Sequence, residues 1–133
     1  ARDLVSKMFS IKFIEKGAII SDFSKIHLHS PDGISEDGSI VIEIKCTRSG
    51  AKHLKREFEG IDKEHIAQCI NAFAVSDEIK YVWFISYCDY RPEKPIIRHI
   101  MNRIDYIKEI EQGRDKIKKI EAELEDKLTK HKF

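Results

Sequence analysis

Apolar and polar residues alternate most clearly in the segment from Ile40 to Cys46. As a strand of period two, this segment places its three isoleucines on one face and Glu43 beside Lys45 on the other. A carboxylate and an amine are therefore expected as neighbours on one strand face.

A second alternating run, from Ile26 to His29, comes shortly before Asp32. Turn signals at Gly33 and at Asp37-Gly38 predict that the two runs fold back on each other as a hairpin-like pair. Such a pair would bring Asp32 alongside Glu43.

The rest of the chain changes between helical and strand patterns, which predicts a mixed sheet with helices packed against it. The segment from Tyr81 to Tyr87 is apolar on both faces, as expected of a central strand covered on two sides. The other predicted elements are an amino-terminal helix passing into a short strand near 11–15, a helix from Lys63 to about Val75, and a strand over 96–100.

A long amphipathic helix is predicted after residue 104, because Ile110, Ile117 and Leu124 recur every seven residues among charged ones. Gln112-Gly113 marks a point where this helix could break. The narrow apolar stripe either packs on its own domain or forms a subunit contact, and the pattern favours the first reading.

Asp32, Glu43 and Lys45 together suggest phosphodiester hydrolysis. Two carboxylates in a partly dry cleft repel each other unless a cation neutralises them, and their hard oxygen atoms suit Mg²⁺ or Mn²⁺. Such an ion can polarise a phosphate and acidify a bound water, while the lysine stabilises developing charge.

A purely structural reading of the same residues is also open. Asp32 could be a turn residue that hydrogen-bonds its own backbone, and Glu43 with Lys45 an ion pair on a solvated face. Charged residues make up 35% of the chain, and a second such pair occurs at Glu78-Ile79-Lys80, which we interpret as a solvated strand entry.

Length and charge set wide limits. The chain has 133 residues, enough for one domain with a buried core. Its longest apolar run is much shorter than a membrane span, and its first residues do not read as a targeting peptide, so a soluble protein is expected. The formal net charge of +1 does not by itself indicate nucleic-acid binding.

The distribution of charge is more informative than its sum. Five basic residues follow one another after the proposed catalytic strand with no acidic residue between them, which predicts a phosphate-contacting patch. They are Lys45, Arg48, Lys52, Lys55 and Arg56. The alternative is a solvated loop that happens to be basic.

Three cysteines, Cys46, Cys69 and Cys88, lack Cys-x-x-Cys spacing and are expected as reduced thiols of a cytosolic protein. Three thiols are also too few to bind an iron–sulfur cluster. His27 and His29 share a strand face and could form a zinc site with Cys46. No other ligand spacing supports zinc, so ordinary strand histidines are the favoured interpretation.

Several short motifs, in their order and spacing, resemble the lambda exonuclease (YqaJ-like) family of PD-(D/E)XK nucleases. The resemblance covers about residues 25 to 95. Its motifs are Ser30-Pro31-Asp32-Gly33, Glu43-Ile44-Lys45-Cys46, Phe58-Glu59-Gly60-Ile61, Ala67-Gln68, an aromatic-rich strand ending near Tyr87, and an Arg91-Pro92 turn.

This resemblance implies a restriction endonuclease-like α/β core over residues 1–104, with residues 105–133 as a carboxy-terminal helix. It implies that Asp32, Glu43 and the main-chain carbonyl of Ile44 are metal ligands. Lys45 would be the catalytic lysine, and Gln68 the glutamine that supports the lysine and the water.

The resemblance also implies an activity: hydrolysis of one strand of double-stranded DNA from a 5′ end with Mg²⁺, for which Mn²⁺ would substitute. The product would be a 3′ single-stranded tail for recombination. A phage or prophage origin, a homotrimer, a single-strand annealing partner and a cytoplasmic location are further expectations from the family. An endonuclease with the same core, or a noncatalytic DNA-binding fragment, remains an alternative.

The sequence departs from the family pattern at three places. His65 stands where tyrosine is more common, and Thr47 where proline is usual. A metal-associated glutamate and an arginine used near the 5′ phosphate would both lie before residue 1, so the amino-terminal segment of the family is expected to be missing.

Overall fold

The computed structural model describes residues 1–131. They form α-helices, one central sheet and a small two-stranded sheet. The helices are α1 (Arg2–Phe9), α2 (Gly50–Glu59), α3 (Lys63–Val75) and α4 (Ile107–Lys130), with a 3₁₀ turn at Arg103–Tyr106. The strands are β1 (Phe13–Ile14), β2 (Ile19–Ile20), β3 (Leu28–His29), β4 (Gly33–Ser35), β5 (Ile40–Cys46), β6 (Tyr81–Tyr87) and β7 (Ile96–Asn102).

The central sheet has five strands in the order β1-β4-β5-β6-β7. Only β5 and β6 run parallel, and the other neighbours in this sheet are antiparallel. Strand β6 is buried from Val82 to Ser86, as its apolar sequence predicts. The predicted mixed sheet flanked by helices, with a long carboxy-terminal helix, is therefore confirmed.

The partner of β5 differs from the prediction. The run from Ile26 to His29 does not pair with β5: its strand, β3, pairs with β2 in a separate two-stranded sheet. The hairpin is formed instead by β4, where Gly33 lies opposite Ile42. Because Asp32 directly precedes β4, the hairpin still places Asp32 beside Glu43.

The β4–β5 turn depends on Asp37 and Gly38. The Asp37 carboxylate accepts hydrogen bonds from the Ser39 backbone N–H (2.9 Å) and from the hydroxyl groups of Ser35 and Ser39 (both 2.7 Å). Gly38 has φ of 78°, which favours glycine. These contacts fix the length of the turn, and the turn fixes the register of the strands.

Two apolar clusters cover the two faces of the sheet. Phe73, Val75 and neighbouring α3 residues pack with Val41 and Phe84 on one face. On the other face, Val5 of α1 packs with Ile42 and Trp83. Residues Ile42 and Glu43 therefore point to opposite layers, and Glu43 points towards α3.

Helix α3 has the predicted bounds, whereas α2 was not predicted from the sequence. The basic stretch after β5 is helical from Gly50, with the Ser49 hydroxyl capping the N–H of Lys52 at 3.1 Å. The helix ends at Glu59 and is capped by Gly60, whose φ is 85°. Its basic residues are thus displayed on a rigid element rather than on a loop.

Helix α4 is continuous through Gly113, so the break considered near Gln112-Gly113 is not present. Ile110 is 3% exposed and packs in the α3 cluster, and Arg114 donates to the carbonyl of Ala74 at 3.0 Å. The exposed fraction then rises along the apolar stripe, to 68% at Leu128. The division of the chain at residues 104 and 105 stays a prediction.

Within residues 1–131, none of the helices combines the length and the apolar character required to cross a membrane.

Candidate active site

Glu43 is the most buried acidic side chain of the described residues, with 1% of its surface exposed. It lies in the middle of β5, and its Oε1 is 2.5 Å from His29 Nε2. Gln68 of α3 reaches its other oxygen, Oε2, at 3.5 Å. The structure therefore brings Glu43 and Gln68 together as the sequence analysis expected.

Asp32 reaches the same strand from the hairpin. Its carboxylate oxygen Oδ2 accepts the backbone N–H of Ile44 at 2.7 Å, and its own N–H donates to the carbonyl of Ile42 at 3.2 Å. The side chain is otherwise exposed to solvent. Asp32 is thus held beside Glu43 while it remains accessible for a ligand.

Lys45 lies two residues after Glu43, on the same face of β5, and is half-buried. The charges act on one another. Burial raises the pKa of Glu43 above its ordinary value, and the nearby Asp32 carboxylate raises it further, while the His29 hydrogen bond and Lys45 lower it. The charged groups at positions 32, 43 and 45 therefore form one electrostatic cluster, and Gln68 contacts it through Glu43.

This cluster fits a hard divalent cation. Glu43 is a buried carboxylate whose Oε2 has only a marginal contact with an uncharged amide, and a second carboxylate stands beside it. A cation would relieve both the desolvation of Glu43 and its repulsion by Asp32. Cys69 lies nearby, but burial raises the pKa of its thiol to about 12, so it adds no thiolate.

His29 and Asn71 lie at the candidate site, and the sequence did not predict either of them there. His29 was considered only as part of a zinc site, yet it is 5% exposed and hydrogen-bonded to Glu43. Asn71 of α3 contacts both His29 and His27. The period-two burial of His27 and His29 was the available signal, because a buried histidine requires polar partners.

The zinc interpretation of His27, His29 and Cys46 gains no support. Both histidines are engaged in the contacts just described, and Cys46 is exposed. In the part of the chain that the structure describes, the single group of three residues with ligand atoms close enough for a metal is Asp62, Glu64 and His65.

The group formed by Asp62, Glu64 and His65 has a structural explanation. Asp62 accepts hydrogen bonds from Arg56 Nε and His65 Nδ1, both at 3.1 Å. Burial would raise the pKa of Asp62, but these two basic partners hold it below its ordinary value. The carboxylate is therefore already neutralised by side chains where α2 meets α3.

The predicted DNA-contacting residues divide into two sets. Arg48, Lys52 and Lys55 are exposed, and the two lysines line a groove of about 1030 Å³ between α2 and α3. Arg56 does not belong with them: it is 2% exposed, and its guanidinium donates to Asp62 and Ser86 inside the fold. The prediction of a phosphate contact at Arg56 is wrong for this reason.

Comparison with solved structures identifies the fold. The crystal structure of an alkaline exonuclease (LHK-Exo) from Laribacter hongkongensis matches with a TM-score of 0.74 and 24% identity, covering 98% of this chain and 69% of that one. The fold of the chain is similar to that of this alkaline exonuclease. A second structure, LHK-Exo in complex with dAMP, matches with a TM-score of 0.76 and 27% identity, covering 98% of this chain and 67% of that one.

No protein-family model matches the sequence, and no curated protein matches it either. The similarity to the alkaline exonuclease therefore depends on the three-dimensional structure, and the short motifs around Asp32 and Glu43 agree with it. The similarity to alkaline exonucleases supports a deoxyribonuclease enzyme.

Proposed function

We propose that this chain is a divalent-metal-dependent exonuclease that hydrolyses one strand of double-stranded DNA from its 5′ end and leaves a 3′ single-stranded tail. The observation that carries the proposal is that the charges of Asp32 and Lys45 both act on the buried Glu43 carboxylate, which Gln68 contacts from α3. The similarity to an alkaline exonuclease, one structure of which contains dAMP, supports DNA as the substrate.

Asp32, Glu43 and the carbonyl of Ile44 would hold the metal, which we propose to be Mg²⁺, with Mn²⁺ as a substitute. When bound, such an ion supplies Lewis-acid stabilisation of the phosphate and a water of lowered pKa. Glu43 keeps its carboxylate fixed because β5 lies inside the sheet, and the β4–β5 hairpin sets the position of Asp32.

Lys45 supplies the positive charge on the same side of β5 as Glu43. Its ammonium stabilises negative charge that develops on the phosphate oxygens and helps orient the attacking water. Gln68, on the rigid α3, supports the lysine and the water by hydrogen bonding. The exposed residues Arg48, Lys52 and Lys55 would hold the phosphate backbone of the duplex, since phosphate contacts position nucleic acid.

Further family properties belong to the proposal as well. They are a homotrimeric assembly, a single-strand annealing partner, a role in phage or prophage recombination, and a cytoplasmic location in a bacterium or a phage-infected cell.

The test is nucleotide release from linear duplex DNA labelled at one 5′ end, with Mg²⁺ present. Asp32→Ala, Glu43→Ala and Lys45→Ala should each abolish release, because each removes a ligand or the catalytic ammonium, while circular dichroism shows an unchanged fold. Lys108→Ala, on the exposed side of α4, is the matched control and should retain activity. Retained activity in all three site variants would contradict the proposal.

Covalently closed circular DNA separates exonuclease from endonuclease action. An exonuclease needs an end and should leave the circle intact. Cutting of the circle would replace the proposed reaction with endonucleolytic cleavage by the same core. Shortening of the labelled strand from its 3′ end, with the 5′ label retained, would reverse the proposed polarity.

A further inference from the structure

Four side chains link the small β2–β3 sheet to the candidate metal site through hydrogen bonds. They are His27, Asn71, His29 and Glu43, and every one except Asn71 is at most 5% exposed. Asn71 bridges the two histidines from α3, and His29 contacts Glu43. Because these buried polar groups reach the candidate metal site, the donor and the acceptor of each hydrogen bond determine what Glu43 receives.

The amide of Asn71 fixes that direction. Its Nδ2 lies 3.3 Å from the carbonyl of Leu28 and 3.1 Å from His29 Nδ1. A carbonyl can only accept, so the group facing Leu28 must be the NH₂ donor. The reversed amide would place its oxygen against the carbonyl oxygen, which would be repulsive.

The remaining protons follow from this orientation. His29 Nδ1 accepts from the Asn71 amide and therefore carries no proton, so the proton of this neutral ring is on Nε2 and is donated to Glu43 Oε1 at 2.5 Å. On the other side, the Asn71 oxygen accepts from His27 Nε2. All the donors point towards the Glu43 carboxylate.

The outer end of the chain agrees with this assignment. His27 Nδ1 is a buried nitrogen with no hydrogen-bond partner among residues 1–131, which fits a ring whose single proton is on Nε2. An unprotonated nitrogen costs less in that position than an unsatisfied N–H. The His27 ring packs on Phe23 at 5.4 Å between ring centroids, which holds it in place.

We infer that His29 is a positioning residue of the candidate metal site, with its tautomer set by Asn71. By occupying Oε1 of Glu43, His29 leaves Oε2, the oxygen that faces Gln68, to bind the cation. Partners of this kind orient metal ligands, and their removal commonly costs 10–100-fold in metal affinity. This inference rests on the function proposed above.

The first test is the affinity of the purified chain for Mn²⁺, measured by calorimetry at fixed pH. His29→Phe removes the donor while keeping a ring, and Asn71→Leu removes the amide while keeping its approximate volume. Each should weaken Mn²⁺ binding about tenfold or more, whereas His29→Gln, which restores an N–H donor, should recover most of the affinity.

His99→Phe is the matched control. His99 lies on β7, in the same sheet as Glu43. Its Nε2 contacts the backbone carbonyl of Arg56 and not Glu43. Its Mn²⁺ affinity should stay near that of the wild type. In nuclease assays the positioning variants should lower kcat and leave the KM for DNA nearly unchanged, because they do not belong to the exposed basic set.

A measurement on the unaltered chain keeps the inference testable if a variant fails to fold. Nitrogen-15 NMR of the histidine rings should show His29 protonated at Nε2 and unprotonated at Nδ1. A proton on Nδ1 would overturn the inference, and so would direct coupling of bound Mn²⁺ to the His29 ring nitrogen.

The two proposals fail in different ways. If the wild-type chain binds Mn²⁺ and degrades DNA but folded His29→Phe binds the ion equally well, only the positioning role is overturned. If the wild-type chain neither binds Mn²⁺ nor degrades DNA, the proposed function is overturned and the positioning role with it.

Discussion

Position 43 carries a carboxylate in a place where most folded chains would carry an apolar residue. Burial raises its pKa, and the Asp32 charge adds to that effect. Between the ordinary value of 4.5 and the raised one, the folded chain binds more protons than the unfolded chain. This group therefore makes the fold less stable as the pH rises through that window, and the loss persists above it.

Glu43→Gln should accordingly stabilise the metal-free chain at pH 7. Glutamine can still accept the His29 N–H, but it carries no charge to desolvate. We expect the Tm to rise by roughly 3–6 °C, as about 1 kcal/mol would produce in a domain of this size, while Mg²⁺-dependent nuclease activity is lost. Thermal scans from pH 4 to 8 would measure the difference.

The same scans contain their own check. The advantage of the Gln variant should shrink towards pH 4 and should be reduced by Mn²⁺, which stabilises only the wild type. A variant that is less stable than the wild type at pH 7 without metal would contradict the assigned cost of burying Glu43.

Asp37 shows the opposite sign of linkage. Hydrogen bonds from the Ser39 backbone N–H and from the hydroxyls of Ser35 and Ser39 lower its pKa from 3.8 to about 2. The stability that its ionised form supplies is therefore present above pH 4 and lost as the pH falls to 2.

Asp37→Ala should lower the Tm at pH 6, and the gap to the wild type should narrow between pH 4 and pH 2. Thermal unfolding across that range measures it. Asp22→Ala is the control, since Asp22 is exposed and takes no part in the hydrogen bonds of this turn. A gap that stays constant down to pH 2 would show that the lost contacts are not charge-dependent.

Among the elements, the β4–β5 hairpin leaves no room beside Asp32. A Cβ added at Gly33 would lie 2.8 Å and 2.9 Å from Cδ1 and Cγ1 of Ile42, which is fully buried. Neither atom can move without disturbing the packing against α1. Glycine at this position therefore permits the close approach of β4 to β5.

Gly33→Ala should destabilise the chain by about 1–3 kcal/mol through overpacking. It should also lower nuclease activity by shifting Asp32. Gly17→Ala is the control, because a Cβ there meets nothing within 4 Å and should change stability little. Urea unfolding measures the stability of both variants. Equal stabilities would contradict the close approach of β4 to β5 at Gly33.

Helix α2 explains why part of the fold escaped prediction. Its buried residues are the polar His53 and Arg56, whereas Leu54 is 42% and Phe58 77% exposed. The usual rule, apolar inside and polar outside, is inverted, so no apolar stripe marks the helix. Its core partners, including Ser86, are distant in the sequence and could not be inferred from the local pattern.

Arg56→Lys should not be tolerated, although it keeps the charge. Lysine cannot reproduce the planar set of donors that contacts Asp62 and Ser86. We expect a loss of roughly 2–4 kcal/mol in the free energy of unfolding, below the upper range for fully buried pairs because Asp62 is partly exposed. Lys52→Arg on the same helix is the exposed control. Equal losses in the free energy of unfolding for the two variants would contradict the buried position of Arg56.

At the scale of the whole molecule, α4 is attached at one end. Ile110→Ala should cost about 2–4 kcal/mol, because the side chain is 3% exposed in the α3 cluster. Leu128→Ala should cost under about 0.5 kcal/mol, as expected at an exposed position. Denaturant unfolding distinguishes them, and a large loss at Leu128 would indicate an intermolecular contact of the distal stripe.

The sequence allowed prediction of elements with regular apolar patterns, such as α3, β5 and β6. Short motifs that resemble a known family predicted Asp32, Glu43, Lys45 and Gln68 as site residues, and in the structure Asp32, Lys45 and Gln68 lie close to Glu43. The contacts of His29 with Asn71 were not predictable, since they join residues 42 positions apart through side-chain geometry. Arg56 was misplaced because its charge, considered alone, indicated the surface.

The turn at Asp37-Gly38 has a consequence for how the molecule opens. Both carboxylates proposed to bind the metal and the proposed catalytic lysine come from one hairpin, between positions 32 and 45, whereas Gln68 comes from α3. Hydrogen exchange should be slower at the β5 amides than at those of α4, because β5 lies inside the sheet and the distal part of α4 is exposed. A partly unfolded chain that keeps this hairpin would then still bind a divalent ion, although it would no longer cleave DNA.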